Sequence, residues 1–526
     1  MRFVSLGLRL SLAGALFALV HGAALADDAD KYGGTLIVAQ NAEITNLDPG
    51  REGGWETFRI ARHIHEALVT EDLSKSGAEV KVPPLKPALA ESWEISADGR
   101  VYTFHLRRGV KFQDGTDFNA EAVAFNIRRG WDPKFEFYDK ISAANLAYTY
   151  SSLSRIETPD DYTLVLTFAE PFSPFLRMLA QGSGGSGGIA SPTAIRKYGN
   201  DGYAEHPVGT GPYRFVERIR GQKVEIERFD GYWGDKPFLD RIIFRPIIDG
   251  NARVAALETG EVDIISWPPR DSVAKLKAQG FGVDNVDLPS VYYYTFNSAN
   301  ETFKDVRVRQ ALALSIDRAA LARDLLKDTA GPAYGILNPG SDAFDPSFRD
   351  YPYHVEKAKQ LLAEAGHPNG VSGLLEIYAG GEPVAEWIQR DAAKAGIKLE
   401  IRSYDWNSFL ARNKKNGPEV ALTSMEWGFL TPYWLYIVAH SKSSGNTGNY
   451  NNPAFDRAVH EAITAVKAED IRDKWREANW ILAADVGKLP IYYERTHYAA
   501  GKNVGGFATP AQDWYDLSHV WLKEKQ

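Results

Sequence analysis

From residue 35 onward, stretches with the two-residue period of a strand alternate with stretches carrying the longer period of a helix. Such alternation predicts an α/β chain, in which helices cover the faces of the strands. "TLIVA" at 35–39 reads as a buried strand, preceded by Gly33-Gly34 and followed by the polar loop "QNAEITNLDPG", a common place for a ligand. Apolar positions 60, 64, 67 and 68 predict a helix over 58–69 with His63 and His65 on differing faces, as surface or half-buried imidazoles. Strands at 92–96 and 101–106 flank the turn Asp98-Gly99, and Asn119 caps a helix over 121–129. Further strands fall at 163–168 and 242–248, and a helix within 251–265 is closed by Gly260 and followed by a short strand. Asp305 caps a helix over 306–326, and the helix in 355–370 stops at Gly366 with Pro368 beyond. A helix at 388–395 and strands at 398–403 and 420–423 complete the pattern. No internal repeat or low-complexity linker divides the chain, so its lobes are expected to share crossing strands.

The 526 residues suggest roughly three domains. Aromatic residues make up 12% of the chain, with 13 Trp and 25 Tyr, which favours sites built from rings. A net charge of −8 argues against a nucleic-acid partner, whose phosphates call for a clustered basic surface. With no cysteine, disulfides, thiolate metal sites and Cys nucleophiles are all excluded. Arg2 and Arg9 precede the apolar run Leu10 to Val20, and Ala24-Leu25-Ala26 offers small residues beyond it, a signal-peptide pattern with cleavage expected after Ala26. That run, of about 11 residues, is shorter than the ~20 of a spanning helix. An exported protein is expected, without a lipid anchor, since the mature chain lacks the thiol.

Five segments in order, "LAESWEISADGRVYTFHLRRGVKFQDGTDFNAEAVAFNI", "VGTGPYRFVE", "NARVAALETGEVDII", "FKDVRVRQALALSIDR" and "EKAKQLLAEAGHPNG", resemble the family 5 extracellular solute-binding proteins. These are the receptors of peptide, nickel and opine ABC importers, and the resemblance spans essentially the whole mature chain. It implies a two-lobed periplasmic-binding-protein hinge fold with an additional domain and mixed sheets. The implied division is a signal peptide at 1–26, a first lobe from 27–57, 190–268 and 489–526, an additional domain at 58–189, and a second lobe at 269–488. The hinge would lie at crossings near 268 and 488. The implied partners are a small-molecule solute, a membrane permease and cytoplasmic ATPase subunits, with the receptor a periplasmic monomer that needs no cofactor.

The stretch "MEWGFLTPYW" at 425–434 is too broken by Gly and Pro for a long helix and too rich in rings for a solvated loop. In peptide receptors of this family the corresponding stretch resembles Gly-Trp followed by an aspartate that pairs with the ligand's ammonium group. Here Trp427 matches the tryptophan, but Leu430 stands about where the aspartate would be. A buried ammonium without a carboxylate would cost several kcal/mol. Glu426 offers a substitute, though adjacent strand positions face opposite ways. Rings together with amides suit a sugar face and its hydroxyl rim. The candidate ligand residues are Tyr404, Trp406, Trp427, Gly428, Asn446, Asn449 and Tyr450, completed by Glu43, Asn46, Ser183, Asn297 and Trp514. Arg402 or Arg155 would either fork a carboxylate or phosphate or form a surface ion pair. The expected solute is sugar-like or opine-like, including sugar-phosphate conjugates; the alternative is a dipeptide or oligopeptide.

Other chemistry finds little support. "QGSGGSGG" at 181–188 lacks the Gly-Lys-Ser/Thr ending of a phosphate loop, and His440 has no second histidine spaced with it for a metal. No GxSxG, HExxH or Walker sequence organises a catalytic site, and Asp160-Asp161 reads as a solvated turn. A binding protein, not an enzyme, is therefore expected.

Overall fold

The strand Thr35–Gln40 is the axis of the first sheet, because its two faces are both apolar and both covered. Leu36 and Val38 enter one cluster with Ile242, Phe244, Ile264 and Tyr498, while Ile37 and Ala39 enter another with Val254, Leu257 and Leu276. A strand buried on both sides belongs in parallel pairing, and it runs parallel to both Arg241–Pro246 and Ile264–Ser266. The computed structural model describes residues 29–51, 54–73, 82–180, 187–415, 417–428, 430–495, 498–511 and 513–524. The expected signal peptide and Ser183 lie outside them.

The fold is a two-lobed α/β periplasmic-binding-protein architecture with mixed sheets and an additional domain. The first sheet has the order 498–500, 264–266, 35–40, 241–246, 223–228, 213–219. The second has the order 330–332, 488–495, 287–296, 420–427, 371–378, 397–404. A separate four-stranded antiparallel sheet joins 90–95, 101–106, 163–168 and 153–160. Its hairpin turns at Gly99, where φ is +70°, and Asn119 Oδ1 accepts from Ala122 N at 2.9 Å to start the helix Ala120–Trp131. One apolar cluster continues from this sheet into the helices Trp434–Ala439, Pro453–Thr464 and Ala468–Ala484 of the second lobe. Phe172 meets Tyr433 edge-on at 5.4 Å across that contact.

Several expected boundaries shift, each for a tertiary reason. The helix read over 58–69 is Trp55–Ile64, because the Ile64 carbonyl is taken by Gly211 N at 2.9 Å and His65 turns extended. The helix read over 306–326 breaks at Ile316. Asp317 then caps a new start by accepting from Ala320 N, and a π-helical turn, Leu321–Leu325, follows. The strand read at 420–423 continues to Trp427, paired to 287–296 along its length. The helix Arg270–Ala278 packs with the first sheet, whereas Lys488–Arg495 lies inside the second. Sheet membership passes from the first sheet to the second between Ser266 and Asp287 and returns to the first between Arg495 and Tyr498.

The first lobe is tied together by one buried ion pair. Arg59 Nη2 lies 2.6 Å from Asp513 Oδ2, with neither side chain reaching solvent. The same guanidinium donates to Asn41 Oδ1 at 2.9 Å, to Tyr498 Oη at 3.1 Å and to the Asp513 carbonyl at 3.0 Å. Removing the charge of one partner strands the other in a dry interior. Asp513→Asn is expected to lower stability by about 3–5 kcal/mol in urea unfolding; a loss below about 1 kcal/mol would show the pair to be dispensable.

Candidate functional site

The strand Val420–Trp427 carries the site to the seam between the lobes, and its alternation sends neighbouring side chains to opposite faces. Trp427 packs edge-on against Trp434 with ring centres 5.0 Å apart, on the side of the additional domain. Glu426, opposite Tyr292 in the register, faces the other way. There Tyr292 stacks on Tyr492 at 5.0 Å, with Tyr378 edge-on to Tyr292 at 6.3 Å. Gly428 follows because its backbone runs against Pro289, and a Cβ at this position would collide with the Pro289 carbonyl oxygen.

Charge at this seam is unbalanced. Arg270 Nη2 pairs with Glu494 Oε1 at 2.5 Å, and its Nη1 donates to Thr329 Oγ1 at 2.5 Å. Among the described residues Glu426 accepts from Ser290 Oγ at 2.9 Å and forms no ion pair, feeling only the more distant field of Arg270. Burial, then the neighbouring Glu494 carboxylate, pushes the Glu426 carboxyl well above its ordinary range, and Asp513 of the first lobe adds to the effect. So placed, the Glu426 carboxyl keeps its proton near neutral pH while Arg270 pairs with Glu494.

Of the residues singled out by sequence, the structure brings Trp427 and Gly428 to this seam and spends most of the others elsewhere. Glu43 accepts from Arg218 Nη2 and Gly221 N, each at 3.0 Å, on the first lobe. Asn46 Oδ1 accepts from Asp48 N at 2.8 Å in a local turn. Asn297 Nδ2 donates to the carbonyls of Gly417 and Val420, and its Oδ1 accepts from Ala299 N, so its amide is consumed by the fold. Tyr404 Oη reaches Glu376 at 3.3 Å under the Arg412 guanidinium, and Trp406, half exposed, packs on Tyr378 and Phe409. Asn446 closes a loop with both backbone groups of Tyr450, whose hydroxyl donates to Asp485 at 2.8 Å. Asn449 is exposed with φ +55°. Arg155 and Arg402 form exposed ion pairs with Glu157 and Glu400, and His440 is buried 3.8 Å from Asp456.

Trp514 lies instead in the wall of a cavity of about 450 Å³. The chamber is enclosed by the helix Trp55–Ile64, residues 86–88, Gly187-Gly188, residues 232–235 and the tail around 514–519. In its lining Glu66 is held by three donors: Trp233 Nε1 at 2.8 Å and Thr210 Oγ1 at 2.9 Å donate to Oε2, and Tyr232 Oη at 2.9 Å donates to Oε1. Burial raises the Glu66 carboxyl to about 7 despite those three donors. His63 and His65 are fully buried beside it, contrary to the surface or half-buried setting expected. Leu517 N donates to His63 Nε2 at 3.0 Å, which places the His63 proton on Nδ1, toward the Arg59 carbonyl. Burial lowers both imidazoles to about 4. Sequence reading passed over Arg62 and Glu66; their four-residue spacing within the expected helix was the available signal.

Two six-stranded sheets, with Arg270 and Glu494 meeting between them, give the frame of a two-lobed binding protein. The family model described as "Bacterial extracellular solute-binding proteins, family 5 Middle" matches residues 84–447. The chain is 32% identical over 499 residues to the glutathione-binding protein GsiB of Shigella flexneri, covering 90% of this chain and 91% of that protein. It superimposes on the periplasmic binding protein DppA of Helicobacter pylori, solved with the peptide STSA, with TM-score 0.82, 26% identity and coverage of 95% and 100%. AgaA of A. tumefacien R10, solved with agropinic acid, matches with TM-score 0.78, 28% identity and coverage of 94% and 99%. This chain belongs to the family 5 extracellular solute-binding proteins, receptors that deliver solutes to the permease and ATPase components of ABC importers.

The buried titratable groups give stability a definite pH dependence. Glu66, raised in the folded state, contributes most below about 4.5 and progressively less as pH rises toward 7. The two histidines act in the opposite sense, costing stability as pH falls from 6.5 toward 4. Glu66→Gln is expected to remove the first trend, so that between pH 4.5 and 7 the parent loses about 2–3 kcal/mol relative to the variant. Denaturant unfolding across that range checks it, and parallel pH curves for the two proteins would refute it.

Proposed function

We propose that the protein is a periplasmic receptor for a small amino-acid-derived solute bearing an amine, of the opine or short-peptide kind, captured by closure of the lobes at the Glu426 seam. The observation that carries this is the buried Glu426 carboxyl beside Glu494, which keeps its proton while Arg270 serves Glu494, so that an incoming ammonium would be the group that lets it ionise. Leu430, at the position of the peptide receptors' aspartate, is buried and 1% exposed, so the amine would be met from Glu426 instead. Glutathione and a peptide, named for a relative and a solved neighbour, both carry an amino group, which supports the same class. A purely carbohydrate ligand is less favoured, because Asn297, Asn446 and Tyr450 have committed their polar groups to the protein.

Thermal-shift titration of mature protein, stripped of carried-over solute, against glutathione, dipeptides, opines and neutral oligosaccharides tests the class. Amine-bearing solutes are expected to raise the melting point and neutral sugars to leave it unchanged; the reverse result would overturn the reading. Glu426→Gln is expected to weaken the responding solute at least tenfold, and unchanged affinity in the folded variant would remove Glu426 from the site.

A further inference from the structure

The backbone register gathers the polar groups of the seam on one face of the second sheet. Glu426 lies opposite Tyr292, and Tyr292 lies opposite Tyr492, so these side chains share a face across adjacent strands. Ser290, whose hydroxyl reaches Glu426, stands on it too. So does Glu494, whose partner Arg270 also lies over the Tyr492 ring at 5.7 Å. We propose, resting on the reading that this seam receives an amine, that capture is an exchange of cations: the incoming ammonium displaces one proton from Glu426, so the receptor holds its solute more tightly as pH rises toward neutrality and less tightly as it falls.

Geometry limits what can hold Glu426 ionised. Its hydrogen-bond donor among the described residues is one neutral hydroxyl, Ser290 Oγ at 2.9 Å. The titratable groups that face it are Tyr292 from 287–296, Tyr492 and Glu494 from 488–495, Tyr378 from 371–378, Arg270 from the helix Arg270–Ala278 and Asp513 from the C-terminal tail. Arg270 is the cation of that set, and its terminal nitrogens are engaged by Glu494 Oε1 and Thr329 Oγ1. Burial and the adjacent Glu494 carboxylate therefore favour the neutral carboxyl. Glu426 is nevertheless only half-buried, which leaves it reachable by a solute. An ammonium placed against it supplies the counter-charge that Arg270 gives to Glu494. The carboxyl O–H bond then breaks, its proton passes to buffer, and the carboxylate accepts from the ammonium N–H, with no other bond made or broken. Below the pH at which the free carboxyl titrates, affinity gains close to tenfold per pH unit.

The test is calorimetric titration of the full mature chain, stripped of carried-over solute, with glutathione and with alanyl-alanine between about pH 5.5 and 7, where both probes keep their ammonium groups charged. Parallel runs at about pH 6.5 in phosphate and in imidazole, whose ionisation heats differ, count the protons. About one proton released per solute bound is expected, with affinity rising about thirtyfold across the range. Glu426→Gln, whose amide imitates the neutral carboxyl but cannot ionise, is expected to bind weakly, release no proton and lose the pH dependence. Glu494→Gln removes the neighbouring carboxylate and frees Arg270, so proton release is expected to fall by half or more. Binding of either probe with no proton released, or with affinity flat in pH, would overturn the exchange and leave the amine-receptor reading standing. The same proton count in folded Glu426→Gln as in the parent would also overturn it. Binding of neither probe would remove the amine-receptor reading and the exchange with it. The parent titrations decide the case even where a variant fails to fold.

Discussion

The ion pair between Arg59 and Asp513 joins side chains 454 residues apart and fixes the first lobe as one object. It gathers the helix Trp55–Ile64, the loop at Asn41, the strand Tyr498–Ala500 and the C-terminal tail on one guanidinium, beside neutral ties such as Leu517 N to His63 Nε2 and Tyr498 Oη to the Asp513 carbonyl. A buried charge pair is weak as a net source of stability and strong as a selector of one arrangement, because every alternative leaves an ion unpaired in a dry interior. Everything functional on this side of the molecule depends on that choice. Asp513 contributes its field to the seam, and its neighbour Trp514 closes the chamber.

The seam follows a different rule. Its charges are incomplete: Arg270 satisfies Glu494, while among the described residues Glu426 has only the Ser290 hydroxyl as direct donor. Under the proposed function, a ligand that completes this site at the lobe boundary would have differential affinity for the closed arrangement. Rigidity is supplied from behind by the tyrosine stack of Tyr292 and Tyr492 and by Gly428 pressed on Pro289. The opening of the strand tip is thus held by packing, while its charge is left for the solute.

Local features were legible along the chain because they rest on short-range physics. The Asp98-Gly99 hairpin, the Asn119 and Asp305 caps and the left-handed Gly260 all stand where their residue types demand, since each needs only its own neighbours. Where the chain's own periodicity was read too far, at 58–69 and 306–326, the termination came from a distant partner at Gly211 or from the renewed cap at Asp317. The candidate site was far less legible. Asn297, Asn446 and Tyr450 have the residue types of a ligand contact, yet each amide or hydroxyl is consumed by backbone or carboxylate groups that no local window shows. Arg62 and Glu66, which look unremarkable in sequence, are set apart only by what surrounds them.

By itself, the sequence determined the alternation of elements, the caps and turns that punctuate them, and the resemblance that the family model later bore out over residues 84–447. These depend on side-chain periodicity and backbone sterics acting within a few residues. Only the tertiary structure decided which polar groups remain free to meet a solute, that Glu426 lies beside the carboxylate Glu494 with no ion pair among the described residues, and that Trp514 and Arg62 share one chamber. Pairing between charges and donors is settled by through-space distance after the strands are in register, and sequence separation carries almost no information about that distance.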